Sequence, residues 1–368
     1  MTQHQLSFAR SALIVGLLCG VIVPASVVQA VQNSDWDQVT RSLVLARAEQ
    51  ALGNYFYANR VTLLRGSIEA HRSELLGIDD EKKFADALTN ILQQAGQDKH
   101  IIVWFSEESD ENQSRKPTST ELARQQRFFQ YVAYGYNASA RLPGNIGYIA
   151  LGGFADMPAA KSTIDAAMEL VRQTSSLIVD LRGNGGGDSD TVDYLLAYFF
   201  AKPMEVTGAV QRIQGKDVAV HDFTPATVAA PRYVGKPVYV LIDHGTISGG
   251  EMFAYDIKSL RRGLVIGQVS AGAASGLGSR PYFLSEHLSI SVPDAVTRNP
   301  YTGTNWEGVG VIPDVKIDGK DALTAAYARA LASVDTSYDP LGEIAQAQKD
   351  PEAALKAFFP RDPQAPLP

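Results

Sequence analysis

Four short apolar runs constrain this chain more than anything else in it: Ile146 to Leu151, Leu177 to Leu181, Val238 to Ile242 and Leu264 to Ile266. Each has the length and β-branched content of a strand. Helical patterns lie between them. Ala159 to Gln173 places Ile164, Ala167, Met168 and Val171 on one face. Val192, Leu195, Leu196 and Phe199 mark a second helix, and Phe253, Ile257 and Leu260 a third. Strands alternating with helices predict an α/β core, a sheet covered by helices.

The flanks read differently. Residues 1–30 have the form of a signal peptide: Arg10, an apolar run from Ala12 to Val28, and Val28-Gln29-Ala30 as a small-residue cleavage site. The mature chain is then expected to begin near Val31, in the periplasm or secreted, although the run also has the form of an N-terminal anchor. The single cysteine, Cys19, lies inside this run, and bulky Leu18 precedes it where a lipidation site is small. Cleavage leaves no thiol nucleophile, no thiolate metal site and no disulfide. Residues 31–100 read as a helical N-terminal domain, with Val39, Leu43 and Ala46, then Phe84, Leu88, Ile91 and Leu92, at helical spacing. Gly77 and Asp79-Asp80 break the pattern. Residues 101–140 read as a connecting segment and 141–330 as the α/β core. Residues 331–368 form a tail with one helix at Pro351 to Phe359. No later run is long enough to span a membrane. The net charge of -7 speaks against a nucleic-acid partner.

Two loops carry chemistry. Asp180-Leu-Arg-Gly-Asn-Gly-Gly-Gly-Asp188 closes a strand, and its glycines can present successive N–H groups to an anion. It is neither a dinucleotide fingerprint nor a P-loop. Leu241-Ile-Asp-His-Gly-Thr-Ile-Ser-Gly-Gly-Glu251 sets Ser248 at a helix start. There it is either an N-cap or a nucleophile beside free N–H groups. Thr246 breaks the G-x-S-x-G elbow pattern. Glu251 has capping-box spacing. Of six histidines, His244 is near Ser248 in sequence and is a candidate base. His100, by periodicity alone, is a surface residue. The histidines have no metal-ligand spacing, so no metal or other cofactor is expected.

Five stretches in order resemble the S41 peptidases, the carboxyl-terminal processing and tricorn-type proteases: Asp98-Lys-His-Ile, Arg141-Leu-Pro-Gly-Asn-Ile-Gly-Tyr-Ile, Asp180-Leu-Arg-Gly-Asn-Gly-Gly-Gly, Thr246-Ile-Ser-Gly-Gly-Glu251 and Asn305-Trp-Glu-Gly-Val-Gly-Val-Ile-Pro-Asp314. They cover about residues 80 to 320. More narrowly they resemble the bacterial interphotoreceptor retinoid-binding protein-like branch. The segment between His100 and Gly147 is too short for a PDZ module. The resemblance implies a ClpP/crotonase-like sheet-and-helix core with a small N-terminal helical domain. It also implies catalysis by Ser248, His100 and Glu307, with oxyanion donors at Gly249 and Gly186. The processing branch uses a lysine base downstream of the serine; Val269 to Gly276 contains none. Two departures stand out, Gly249-Gly250 where the family has alanines and the unusual Val269 to Gly276 loop.

The chemistry implied is acyl transfer on a peptide or unfolded-protein substrate. His244 stays as an alternative base, and Trp306, Gly185 and Gly187 as substrate-pocket candidates. Two other functions share these residues: a catalytically silent protein binding peptides or an apolar ligand, and an esterase. An oligomer is compatible with the sequence.

Overall fold

A computed structural model describes residues 36–107, 119–213, 216–275 and 281–364. The signal-peptide reading of residues 1–30, Cys19 included, lies outside the described residues.

The first unit is helical: α1 (Gln38–Ala51), α2 (Val61–Ala70), α3 (Arg72–Leu76) and α4 (Glu81–Gly96). Asp37 and Asp80 cap α1 and α4, accepting from the N–H groups of Thr40 and Lys83. Strand β1 (Ile102–Phe105) follows, then α5 (Ser119–Tyr131) and β2 (Tyr136–Leu142). The core then runs β3 (Ile146–Leu151), α6 (Lys161–Val171), β4 (Ser176–Asp180), α7 (Ser189–Ala197), β5 (Glu205–Ile213), β6 (Lys216–Phe223), β7 (Val238–Ile242), α8 (Gly249–Ser259) and β8 (Leu264–Gly267). Strands β9 (Pro281–Phe283), β10 (Leu288–Ser291), β11 (Ala295–Arg298) and β12 (Val315–Lys316) lead to α9 (Gly319–Ala332), α10 (Glu343–Lys349) and α11 (Pro351–Phe358).

Six strands form one sheet in the order β12-β8-β7-β4-β3-β2. All neighbours pair parallel except β2, which runs antiparallel at the edge. From β3 to β8 the chain steps across the sheet in one direction. Right-handed crossovers taken that way put α6, α7 and α8 on the same face. Alternation along the strands then divides the core. Ile149, Leu151, Leu177, Val179, Val240 and Ile242 pack with Ile164, Met168, Leu195 and Phe253 from those helices. Tyr148, Ala150, Ile178, Leu241 and Ile266 face the other way, onto Leu323, Ala326, Tyr327 and Ala330 of α9. A fully buried residue such as Ile164 contributes about 1.5–3 kcal/mol by leaving water.

This layout adds strands to the small N-terminal domain that the sequence reads as helical. Two further three-stranded sheets, β1-β10-β9 and β11-β5-β6, arise from the connections. The first of them closes the N-terminal unit. Leu284, Leu288, Ile290 and Val292 return from late in the chain to bury Leu45, Leu64, Phe84 and Leu88 in a separate core. The helices alone leave that core open. None of the described helices is long and apolar enough to cross a membrane.

Candidate active site

β4 and β7 are parallel neighbours, with Asp180 opposite Leu241, so the two chemistry-bearing loops leave the same edge of the sheet side by side. Both leave the carboxyl ends of their strands, the end at which parallel α/β sheets carry their functional loops. Side chains weld the loops together. Thr246 Oγ1 donates to the Leu181 carbonyl at 2.7 Å, and Gly183 N–H donates to Asp243 Oδ1 at 2.8 Å. The Asn184 carbonyl accepts from Ile247 N–H at 2.9 Å, while Asn184 Nδ2 donates to the Leu151 carbonyl at 2.9 Å. Below them, buried Asp180 and Arg182 form an ion pair that Asp362 of the tail extends.

Ser248 caps α8 with φ 54° and ψ -115°, a left-handed backbone costly for a residue with a Cβ. Glu251 holds it there. Its buried carboxylate accepts from Ser248 N–H at 2.9 Å, and also from Ser270 Oγ, Gly272 N–H and Ala273 N–H. Burial pushes the Glu251 carboxyl up, and these four donors oppose that shift. The capping-box glutamate therefore also pins the 270–273 loop.

The glycine loop packs against this serine. A Cβ on Gly186 would lie 2.8 Å from Ser248 Cβ, so only glycine fits. The N–H of Gly186, expected to be an oxyanion donor, donates to Asn184 Oδ1 at 2.9 Å, and the residue is buried. The next residue, Gly187, is exposed and has φ +133°. Its backbone bridges Phe154 through the hydrogen bonds of Gly186 and Asp188, which leaves its own N–H turned away from Phe154. A Cβ on Gly249 would lie 3.2 Å from that nitrogen, so Gly187 N lies close beside Gly249, the first residue of α8.

His100 reaches Ser248 from the N-terminal unit. Its Nε2 is 3.5 Å from Ser248 Oγ. This is longer than a tight catalytic bond, as is common before substrate binds. His100 Nδ1 is 3.7 Å from Asp98 Oδ1, and a ring nitrogen of His100 and a carboxylate oxygen each of Asp98 and Glu307 lie within 4.8 Å of one another. Glu307 Oε2 accepts from Ala274 N–H at 2.6 Å and from Ser275 Oγ at 3.0 Å. Burial, and next the charge of Asp98, push the Glu307 carboxyl up.

The other candidates lie elsewhere. His244 is exposed and its Nδ1 pairs with the Val269 carbonyl at 2.8 Å. Trp306, a candidate for the substrate pocket, is 1% exposed, packs on Tyr255 and donates to the Ala273 carbonyl. Gly185 is exposed beside Gly187, and its N–H is taken by the Gly152 carbonyl. Asp98 and Tyr55 join the site without being singled out by the sequence. The signal for Asp98 is its place two residues before His100; for Tyr55 there is none.

The Peptidase family S41 model matches residues 145–317. A carboxy-terminal-processing protease of Bartonella bacilliformis is 28% identical over 234 residues, 61% of this chain and 50% of that protein. A Streptomyces coelicolor protein named "Putative tricorn protease homolog 2" is 31% identical over 175 residues, 47% of this chain and 13% of that protein. The chain thus spans half or less of these relatives' length. A solved "putative peptidase" from Parabacteroides merdae shares the fold, with a TM-score of 0.55 at 19% identity, over 83% of this chain and 100% of that one. With the family model, this shared fold replaces the ClpP/crotonase assignment by a fold of the S41-peptidase type. The matches do not single out the interphotoreceptor retinoid-binding protein-like branch. By its 145–317 core the chain is homologous to the serine peptidases of family S41 and related to both their carboxy-terminal-processing and tricorn-type members.

Proposed function

We propose that the protein is an exported serine peptidase that cleaves peptide bonds through an acyl-enzyme on Ser248. His100 takes the Ser248 hydroxyl proton as Oγ attacks the carbonyl carbon, and passes that proton to the departing amine. Water then enters, and the same base assists its attack on the ester. The N–H groups of Gly249 and Gly187 bind the tetrahedral oxygen, and Glu307 completes the charge network behind the imidazole. The substrate is a peptide or an unfolded protein.

The observation that carries this reading is the meeting of His100 Nε2 and Ser248 Oγ at 3.5 Å. A left-handed serine, held by a buried glutamate at the start of a helix, supports it. A nucleophile needs both the base and the N–H groups around it.

A fluorophosphonate probe tests the proposal. The mature chain labels, and Ser248→Ala abolishes labelling. Labelling that survives Ser248→Ala overturns the nucleophile. Labelling without cleavage of an unfolded-protein substrate, but with turnover of activated esters, moves the protein to the esterases. No labelling at all leaves a binding protein on the same fold.

A further inference from the structure

Asp98 is fully buried, and both its oxygens are in use. Oδ2 accepts from the Tyr55 hydroxyl at 2.8 Å, and Oδ1 from the backbone N–H of His100 at 2.9 Å. The same Oδ1 is 3.7 Å from His100 Nδ1, a buried ring nitrogen hydrogen-bonded to no group among the described residues. Glu307 differs. Both of its donors sit on Oε2, and its Oε1 is buried and bonded to nothing among the described residues.

We infer that Asp98, held by Tyr55, is the carboxylate that orients His100 and carries the balancing negative charge, with Glu307 in a secondary place. The inference rests on the reading of His100 as the base for Ser248.

Hydrogen bonding decides between the two acids. A proton placed on Asp98 would sit on an oxygen that already accepts a hydrogen bond, from the Tyr55 hydroxyl or the His100 backbone N–H, and would weaken that bond. A proton on Glu307 Oε1 displaces nothing. Two carboxylates this close to each other do not both ionise cheaply in a buried site. Burial and the Asp98 charge both favour the protonated form of Glu307. Asp98 also has the better mechanical hold. It grips the His100 main chain, and Lys99 between them donates to the Ala271 carbonyl at 2.6 Å, tying this short segment to the 270–273 loop. A carboxylate so placed fixes the ring with Nδ1–H toward Oδ1 and leaves Nε2 to accept from Ser248.

The charged and titratable groups around the imidazole come from four places. Asp98 and Lys99 share its segment. Tyr55, Tyr57 and Arg60 come from the 55–60 turn, where Arg60 stacks over Tyr57. Glu307 comes from the late loop, and Ser248 from α8. Asp98 and Glu307 are the only acids among these groups, so exchanging them one at a time separates their effects.

The test is the NMR titration of the His100 ring in the full mature chain carrying Ser248→Ala, a readout independent of turnover. Asp98→Asn moves the His100 midpoint to lower pH by about one unit or more, as loss of an anion at this distance does. Glu307→Gln moves it by less than about a third of that. Tyr55→Phe keeps the carboxylate but strips its donor, so the midpoint moves to higher pH by a few tenths. Should Asp98→Asn fail to fold, Tyr55→Phe still decides, because an unmoved midpoint there overturns the inference. A larger shift in Glu307→Gln than in Asp98→Asn overturns it as well. Fluorophosphonate labelling of the chain with Ser248 intact reports separately on the peptidase reading. An unlabelled protein sinks that reading, while the His100 titration still judges Asp98.

Discussion

His100 and Ser248 lie 148 positions apart in the chain, yet their side chains meet with Nε2 3.5 Å from Oγ. Each is delivered by a different core. Ser248 stands on the central sheet, at the junction of β7 and α8. His100 follows α4; Asp98 with Tyr55 holds its segment to the N-terminal core, and Lys99 ties it across the gap to the Ala271 carbonyl. Loss of either anchor therefore moves His100 and leaves Ser248 in place.

The two candidate bases separate cleanly by mutation. His100→Ala lowers the rate of fluorophosphonate labelling by about 100-fold or more, the usual contribution of a general base. His244→Ala leaves it within about twofold, since that ring is exposed and bonded to the Val269 carbonyl. Labelling rates of the two variants, each checked for folding by circular dichroism, test this. The reverse ranking would make His244 the base.

Gly183 and Gly187 occupy one loop and predict opposite outcomes. Gly183 has φ +67° and open space where an alanine methyl would sit, so Gly183→Ala costs about 1 kcal/mol of backbone strain and little activity. On Gly187 a Cβ would lie 2.0 Å from the Phe154 carbonyl oxygen, so Gly187→Ala must shift the backbone. That shift carries the N–H away from the oxyanion position and lowers kcat by about 100- to 1,000-fold. Steady-state kinetics on a peptide substrate, with urea unfolding of both variants, checks the contrast.

Strands β3, β4, β7 and β8 were legible because buried strands are written as unbroken apolar runs, and Ser248 because it stands where such a run meets a helix. Other parts left no such trace. α5 buries none of its described side chains, so it has no apolar stripe to read. β6 is exposed along most of its length and sits in a stretch that reads as a connector. The return of Leu284 to Val292 to the N-terminal core is a long-range pairing, and local pattern is blind to it. At the site, the sequence marks glycines but not which N–H each one spends. Only the Asn184 side chain, folded back on Gly186, shows that the Gly186 N–H is spent within the loop.

Glu251 gathers four donors, two from the neighbourhood of Ser248 and Ser270 and two from the 272–273 backbone. A glutamine there has one accepting oxygen and turns an NH2 group toward donors. Glu251→Gln is expected to destabilise the fold by about 3 kcal/mol, as an unsatisfied buried group does. It also frees Ser248 from its left-handed backbone, so labelling falls further than the stability loss explains. Urea unfolding and labelling at a temperature where the variant stays folded separate the two effects.

Asp193 on α7 and Asp256 on α8 form a buried acidic pair behind the site. Burial pushes the Asp256 carboxyl up to about 7, against the pull of donors on Thr207 and Asn299. Asp193 is raised well above the carboxylate range by burial first and then by Asp256, Asp222, Asp190 and Asp188, and its Oδ1 is bonded to nothing among the described residues. A raised folded-state value means the native chain holds protons that the unfolded chain has released. Below about pH 4 both states are protonated and the pair costs nothing. Between about pH 4 and pH 7 the unfolded state ionises first, so stability falls as pH rises, by about 3–5 kcal/mol for a shift like that of Asp256. Above that window the Asp256 penalty is constant. Asp193→Asn removes a carboxyl that folding must keep protonated, so it raises the urea midpoint more at pH 8 than at pH 5. Equal changes at the two pH values would mean that the pair does not titrate on folding.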